Sequence, residues 1–270
     1  MHVDIDAVTR IVEETANQEI LPRFGRLASH EVREKAPGEL VTVADEAAEL
    51  RLAARLRELL PGSVVLGEES AAKDEAVMDY LAGDDPVWVI DPVDGTANFT
   101  AGRSRFASMV ALVLHGETLA AWIHEPIAGK TACAERGGGA WQNGERLSVA
   151  AGGREPAKLR GTLHAGFFGS KTVARMVDSR RDRVIALRSF RCAGAEYVAL
   201  ARAELDFALF TKLAPWDHAP GALLVAEAGG EAKLLDGRPY GPAQRDGKGL
   251  LLAPDAASWQ ALYDTLLKAE

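Results

Sequence analysis

Read from its N-terminus, the chain first repeats its hydrophobic positions at helical spacing. Over residues 4 to 23, Val8, Ile11, Val12, Thr15 and Glu19 fall in a stripe with Ala16 and Ile20 beside it, which predicts a helix with a polar back. Residues 33 to 41 read as an extended piece turning at Pro37-Gly38. Thr42 then begins a long helix, with Asp45 and Glu46 in the first turn, Leu52, Leu56, Leu59 and Leu60 on one face, and Pro61-Gly62 as its stop. After that the pattern turns to short apolar runs. Ser63 to Leu66 reads as a strand, and Val87 to Ile90 as a buried one. Phe106 to Leu114, Thr118 to His124 and Lys130 to Glu135 follow as antiparallel strands, with turns at His115-Gly116-Glu117 and Pro126 to Gly129. An Asn143-Gly144 hairpin closes the series.

At about residue 150 the pattern breaks into Ala151-Gly152-Gly153-Arg154-Glu155-Pro156, a candidate boundary between halves 1–150 and 151–270. Strands and helices then alternate: Leu159 to His164, Thr172 to Asp178, Ile185 to Phe190, Ala195 to Ala203, Asp206 to Phe210 and Asp217 to Ala228. Gly249 to Ala253 and a helix from Asp255 to Lys268 end the chain. An α/β (α+β) protein is predicted, with an antiparallel N-terminal sheet and a mixed, helix-covered C-terminal one.

Composition narrows the function more than the fold. A chain of 270 residues is long enough for two layered units around a shared core. Its net charge of −8 argues against nucleic acid or an anionic membrane as main partner. No apolar run approaches the roughly 20 residues of a membrane span, and no leader pattern opens the chain, so a cytoplasmic protein is expected. Cys133 and Cys192 are isolated and indicate neither a disulfide framework nor a zinc site.

The acidic residues gather where elements end. The run Val87 to Ile90 breaks into Asp91-Pro92-Val93-Asp94-Gly95-Thr96, two carboxylates with a proline between them and a glycine after. Pro92 fixes its own φ and keeps Asp91 extended, while Gly95 allows a backbone other residues resist. Such a rigid turn, with an exposed carbonyl, suits a hard cation such as Mg²⁺; the competing reading is an acidic surface turn. Gly67-Glu68-Glu69-Ser70 follows a second strand. Pro215-Trp216-Asp217-His218-Ala219-Pro220 opens a helix, with Asp217 at or beside the N-cap and Pro220 in the first turn.

Together, Gly67-Glu68-Glu69, Asp91 to Thr96, and Trp216-Asp217 followed by Glu227-Ala228-Gly229-Gly230 resemble the three signatures of the inositol monophosphatase family, Mg²⁺-dependent and lithium-sensitive phosphomonoesterases. The likeness runs from Lys35 to about Leu252. It implies a layered αβαβα sandwich, a homodimer and a small phosphorylated metabolite as substrate. By the same resemblance, one metal is held by Glu68, Asp91 and the Val93 carbonyl, and another by Asp91, Asp94 and Asp217. Thr96, bonded to Asp45, would activate the attacking water, and Glu69 would hold a water. Lys35 would approach the metals, and the N–H groups of Gly95 and Thr96 would receive phosphate oxygens. Asp45 has a competing reading as a helix-dipole residue. Six converging carboxylates repel one another, and roughly two or three Mg²⁺ ions would bring them near neutrality.

Rival chemistries fit less well. Aspartyl-phosphate phosphatases need their acids two residues apart, and here the spacing is three. No Gly-x-Ser-x-Gly elbow exists, and the Gly137-Gly138-Gly139 run lacks the Lys-Ser/Thr of a phosphate loop and reads as strand-turn backbone. His218 could be a general base or a packed side chain. An interaction protein tied to RNA processing or transcription, keeping the fold without catalysis, is the non-enzyme alternative. The substrate side departs from the resemblance: Phe210 stands where inositol-preferring members carry a glutamate, and Arg191-Cys192-Ala193 replaces a Gly-Ser/Thr-Ala turn. Pro220 and Ala101 also replace usual residues. Phe210 and Arg191 therefore predict a substrate with a planar portion or a second anionic group, unless Phe210 is only a core residue and Arg191 points to solvent. Histidinol phosphate and a nucleotide 3′-phosphate stand beside inositol monophosphate and related sugar phosphates as candidates.

Overall fold

The computed structural model describes residues 3–153, 155–164, 171–244 and 248–268; Arg154, in the predicted boundary stretch, lies outside them. The outermost layer is α1 (Ile5–Thr15) with α2 (Val43–Leu59). Asp4 caps α1 by accepting the Ala7 N–H at 2.9 Å, and Thr42 with Asp45 forms a capping box on α2. The predicted single helix over 4 to 23 is corrected. It widens into a π-turn at Ala16–Ile20, which buries Ala16 and Ile20 and turns Glu19 outward to pair with Arg23 at 3.0 Å.

Beneath these helices lies a seven-stranded sheet in chain order: β3 (Val64–Gly67), β4 (Val87–Asp94), β5 (Ala107–Leu114), β6 (Glu117–Glu125), β7 (Lys130–Glu135), β8 (Gly139–Gln142) and β9 (Glu145–Arg146). A separate hairpin, β1 (Val32–Ala36) with β2 (Glu39–Thr42), precedes it. From β4 onward the large sheet is antiparallel as expected, but β3 pairs with β4 in parallel. The reason is the crossover between them, through α3 (Glu68–Lys73) and a 3₁₀ stretch at Glu75–Ala82. Trp88, Ile90, Val110 and Trp122 on one face meet Val8, Ile11, Leu52 and Leu56.

The other face carries Met109 and Ile123 onto a middle layer of α6 (Ala193–Ala201) and α7 (Pro215–Glu227). The same cluster continues through Tyr197, Val198 and Leu224 to Ala208, Phe210 and Leu252 of a second sheet, so both halves of the chain share a core. That sheet runs β11 (Ile185–Leu187), β10 (Arg160–Leu163), β12 (Phe207–Phe210), β14 (Leu250–Ala253), β13 (Glu231–Leu234). It is mixed: β10 is parallel to β11 and β12, and β14 is antiparallel to both neighbours. The strand alternation of β12 is clean: Ala208 and Phe210 face the middle layer, Phe207 and Leu209 face α5 (Lys171–Ser179) and α8 (Ala256–Leu266). The result is the expected αβαβα stack.

Two turn readings hold. Asn143 and Gly144 have φ of 50° and 83°, as a primed hairpin turn requires. The N–H groups of Gly137 and Gly139 donate to the Glu227 carboxylate at 2.7 and 2.9 Å, so the triple glycine is strand-turn backbone tied to the end of α7. The extended reading of Ile185 to Phe190 is shortened to β11. Among the described residues, no helix is long and apolar enough to cross a membrane.

Candidate active site

The acidic stretch is not a turn beyond β4 but its last part. The strand continues through Asp94, and Asp91 pairs with Met109 while Asp94 pairs with Ala107, one extra residue on the β4 side. Pro92 has no N–H to give the ladder, so the sheet accommodates the run as a bulge that redirects both aspartates. Gly95 follows at φ 86° and starts the short helix α4 (Thr96–Thr100). Its glycine is needed twice. The backbone is left-handed, and a Cβ would stand 3.1 Å from Cys192 Cβ and 3.2 Å from the Arg191 carbonyl.

Asp91 and Asp217 come together from β4 and from the first turn of α7, close enough that Asp217 shares a hydrogen bond with Asp91. Burial, then the charges of Glu68 and Asp94, push both well above the usual carboxylate range. Asp91 Oδ1 is buried without a hydrogen-bond partner. Asp94 is fastened from the other side: the Gly194 N–H donates to its Oδ2 at 2.6 Å and the Cys192 thiol at 3.0 Å. Burial pushes Asp94 up, and those bonds oppose the rise. Glu68 and Glu69, at the start of α3, share Lys35 Nζ at 2.5 and 2.8 Å. Burial works against the Lys35 charge, but the two glutamates hold it firmly protonated. As the side chains stand, no trio of His, Cys, Asp and Glu among the described residues forms a ready-made metal group.

The donor set nevertheless fits a hard cation. All of it is oxygen, it comes from three elements that meet at one sheet end, and the orphaned Asp91 Oδ1 has no other partner.

Asp45 caps its helix and also lies against Thr96. Its Oδ2 accepts from Thr42 N at 2.9 Å and Thr42 Oγ1 at 2.5 Å, completing the α2 cap, while Thr96 Oγ1 reaches Oδ1 at 3.2 Å. Thr96 Oγ1 also lies 3.0 Å from the Val93 carbonyl. Burial raises Asp45 to about 7, against the bonds from Thr42.

Beside the acids opens a cavity of about 440 Å³, lined among others by Asp94, Asp217, Arg191, Phe210, Lys212 and His164. Phe210 is a core strand residue that also reaches this wall. It stacks with His164 at 4.7 Å and Tyr197 at 5.3 Å, and only 4% of it is exposed. Arg191 is exposed at φ 57°, in a turn held by Asn98 Nδ2, which donates to the carbonyls of Arg105, Phe190 and Arg191. His218 packs. Its Nε2 meets the Lys212 carbonyl at 2.7 Å and its Nδ1 the Tyr197 hydroxyl at 2.8 Å; burial pushes it down to about 4. Both nitrogens are spent, which removes the general-base reading. The helix start is also corrected: α7 is capped at Ala214 with Pro215 first, so Asp217 is third and Pro220 falls in the second turn.

The model of the inositol monophosphatase family matches residues 3–268. The chain belongs to this family. It is 34% identical over 222 residues to the inositol-1-monophosphatase of Mesorhizobium japonicum, covering 79% of each chain. It is 30% identical over 236 residues to the Nus factor SuhB of Escherichia coli K12, covering 85% of this chain and 84% of that one. Among solved structures, the extragenic suppressor protein suhB of Bartonella henselae superposes with a TM-score of 0.85 at 24% identity, over 98% and 99% of the two chains, a likeness of fold.

Within the family frame, two buried acids, Glu49 and Glu196, and the half-buried His164 escaped sequence reasoning. Glu49 accepts the N–H groups of Glu69 and Ser70 at 2.7 and 2.8 Å, and so fixes the start of α3 from a position 20 residues earlier. Gly67 is what admits it: a Cβ there would lie 2.2 Å from Glu49 Cδ. Glu196 is fully buried and bonds Thr162, His164, Ser189 and Phe190. Helical spacing from Asp45 to Glu49 was the one available signal, while nothing local marks Glu196 or His164.

Proposed function

We propose that this chain is a Mg²⁺-dependent phosphomonoester hydrolase acting on a small phosphorylated metabolite. The observation that carries the reading is Asp91 Oδ1, a buried oxygen with no partner, set among carboxylates that raise one another. In this reading Glu68, Asp91 and the Val93 carbonyl hold one ion, and Asp91, Asp94 and Asp217 another. Mg²⁺ bound there would acidify water and stabilise charge on the leaving oxygen. The remaining work belongs to the chain. Thr96 Oγ1 accepts from the attacking water and passes its own proton to Asp45 Oδ1, whose affinity near neutrality suits a proton acceptor. Glu69 orients a water, Lys35 balances Glu68 and Glu69, and the Gly95 and Thr96 N–H groups receive phosphate oxygens.

The test is phosphate release from a panel of phosphomonoesters with and without Mg²⁺: inositol monophosphate, other sugar phosphates, histidinol phosphate and a nucleotide 3′-phosphate. Release from at least one, abolished by Asp217→Asn, is expected; none from any would end the reading. Lithium inhibition, a homodimer and a cytoplasmic setting belong to the same proposal. A monomer by light scattering would remove the dimer.

Similarity to the Nus factor SuhB supports a second reading, a protein-binding role in transcription or RNA processing. With a net charge of −8, such a role would rest on protein rather than direct nucleic-acid contact. The two roles are compatible, and an Asp217→Asn variant that loses phosphatase activity but keeps its partner would separate them.

A further inference from the structure

The hydroxyl assigned above to the attacking water stands on a helix too short to hold itself. Thr96 opens α4, which ends at Thr100, and such a short helix has too few internal hydrogen bonds to be stable alone. Its placement therefore comes from its side chains. On one side Phe99, 1% exposed, packs edge-on to Phe106 at 5.0 Å and tilted against Phe24 at 5.7 Å. Apolar packing is non-directional, so it seats the helix without fixing its rotation.

Asn98 supplies the direction. Its side chain is 4% exposed, and its Nδ2 donates to the carbonyls of Arg105 at 2.8 Å, Phe190 at 3.0 Å and Arg191 at 3.3 Å. An amide nitrogen carries two N–H donors, so the longest of the three bonds is a shared one. The acceptors come from two segments, the 101–106 loop and the 189–192 turn, and the Asn98 carbonyl also takes the Arg103 N–H at 2.9 Å. The start of α4 lies against the same carbonyls. A Cβ on Gly95 would stand 3.2 Å from that of Arg191 and 3.3 Å from that of Arg105, and the Asn98 N–H returns to the Gly95 carbonyl at 2.7 Å. The turn itself is pinned independently. The Arg105 guanidinium lies 4.0 Å from the Phe190 ring centroid, and Glu196 accepts from the Phe190 N–H and the Ser189 hydroxyl.

We propose that Asn98 is a positioning residue for hydrolysis: its amide clasps α4 to the 189–192 turn and so sets the Thr96 hydroxyl against Asp45. This deepens the phosphatase reading and rests on it. Thr96 Oγ1 has two acceptors for its one proton, Asp45 Oδ1 at 3.2 Å and the Val93 carbonyl at 3.0 Å. Rotation of α4 away from Asp45 would leave the hydroxyl on the carbonyl, which cannot take up the proton of the attacking water. Asn98 resists that rotation from the far end of the helix. Asp94 keeps its own bonds from Cys192 and Gly194, so the clasp acts on the hydroxyl rather than on the metal side.

The experiment compares wild type, Asn98→Ala and Asn98→Ser, each with and without Thr96→Ala, on whichever phosphomonoester of the panel is turned over best. Amide hydrogen exchange is followed on the same proteins without metal. Asn98→Ala should lower kcat by about tenfold or more, the scale on which small misplacements act. KM and the Mg²⁺ concentration for half-maximal activity should stay within about threefold of wild type, which a general loss of structure would not allow. Asn98→Ser retains one donor and should fall between the two; it carries the same comparisons if the alanine variant does not fold. In the Thr96→Ala background, Asn98→Ala should cost less than about threefold further, because both act through one hydroxyl. Exchange should quicken over residues 95–106 and stay unchanged over β5 to β7. An unchanged kcat, equal losses in both backgrounds, or quickened exchange throughout the chain overturns this role and leaves the phosphatase reading intact. No Mg²⁺-dependent release by the wild type overturns both.

Discussion

At the scale of single residues, the site is a set of acids held against their own repulsion, and two nominally equivalent aspartates differ. Asp217 is raised by burial and by Glu68 and Asp94, so Asp217→Asn removes a repelling charge while keeping a bond to Asp91. Asp94 accepts from Gly194 N–H and Cys192, and an amide nitrogen at that oxygen would face a donor. Both variants should lose activity. In metal-free protein, urea unfolding should show Asp217→Asn more stable than wild type and Asp94→Asn less stable by about 1–3 kcal/mol. Equal shifts would contradict the assignment.

Asp45 adds a pH dependence: it sits at about 7 in the fold against an ordinary 3.8. Between those values the folded chain keeps a proton that the unfolded chain has released. The Asp45 contribution to metal-free stability should therefore fall as pH rises from about 4 to 7, by up to about 4 kcal/mol, and level off above, while His218, pushed down to about 4, contributes in the opposite direction. Asp91 and Asp217, also raised, act in the same direction as Asp45. Denaturant midpoints in EDTA across that range, measured for wild type and Asp45→Asn, check the sign: the wild type should lose stability relative to the variant as pH rises, a relative gain would refute it, and Mg²⁺ should flatten the difference.

At the scale of elements, the start of α3 depends on a contact made across the chain. Glu49 of α2 takes the two N–H groups that open α3, directly beneath Glu68 and Glu69, and Gly67 leaves the space for its carboxylate. The glycine's φ of −104° is ordinary, so its role is room rather than backbone freedom. Gly67→Ala should cost about 1–3 kcal/mol through overpacking and raise the Mg²⁺ concentration needed for half-maximal activity. Glu49→Gln should raise that Mg²⁺ requirement too, since one of its two acceptors is lost. Normal Mg²⁺ activation in both would show that α3 is positioned without Glu49.

At the scale of the whole molecule, the middle layer of α6 and α7 belongs to both sheets. Its cluster runs from Met109 and Ile123 through Tyr197 and Leu224 to Phe210 and Leu252, across the sequence boundary near residue 150. Gly221 lets the two helices close, because a Cβ there would stand 2.1 Å from the Tyr197 ring. The chain should unfold in one calorimetric transition, with Gly221→Ala lowering its midpoint as a single peak. Two separable peaks would show that the halves are independent domains. The same packing carries the site, since Asp94 from the first half is fastened by Gly194 of the second.

What the sequence determined by itself is local. Apolar spacing of about 3.6 marked α2, and apolar runs bounded by turn residues marked the β5–β7 series, because both patterns follow from local backbone geometry. Proline and glycine after an apolar run marked where the acids would leave β4, although a bulge, not a turn, carries them. The tertiary structure decided the rest. It brought Asp91 to Asp217, gave Asp45 both a cap and Thr96, spent both nitrogens of His218, and saturated Glu196 behind the cavity wall. Apart from the Thr42 cap and the Lys212 carbonyl, these bonds join residues far apart in the chain, and which donor meets which acceptor at that distance is set by how the layers pack.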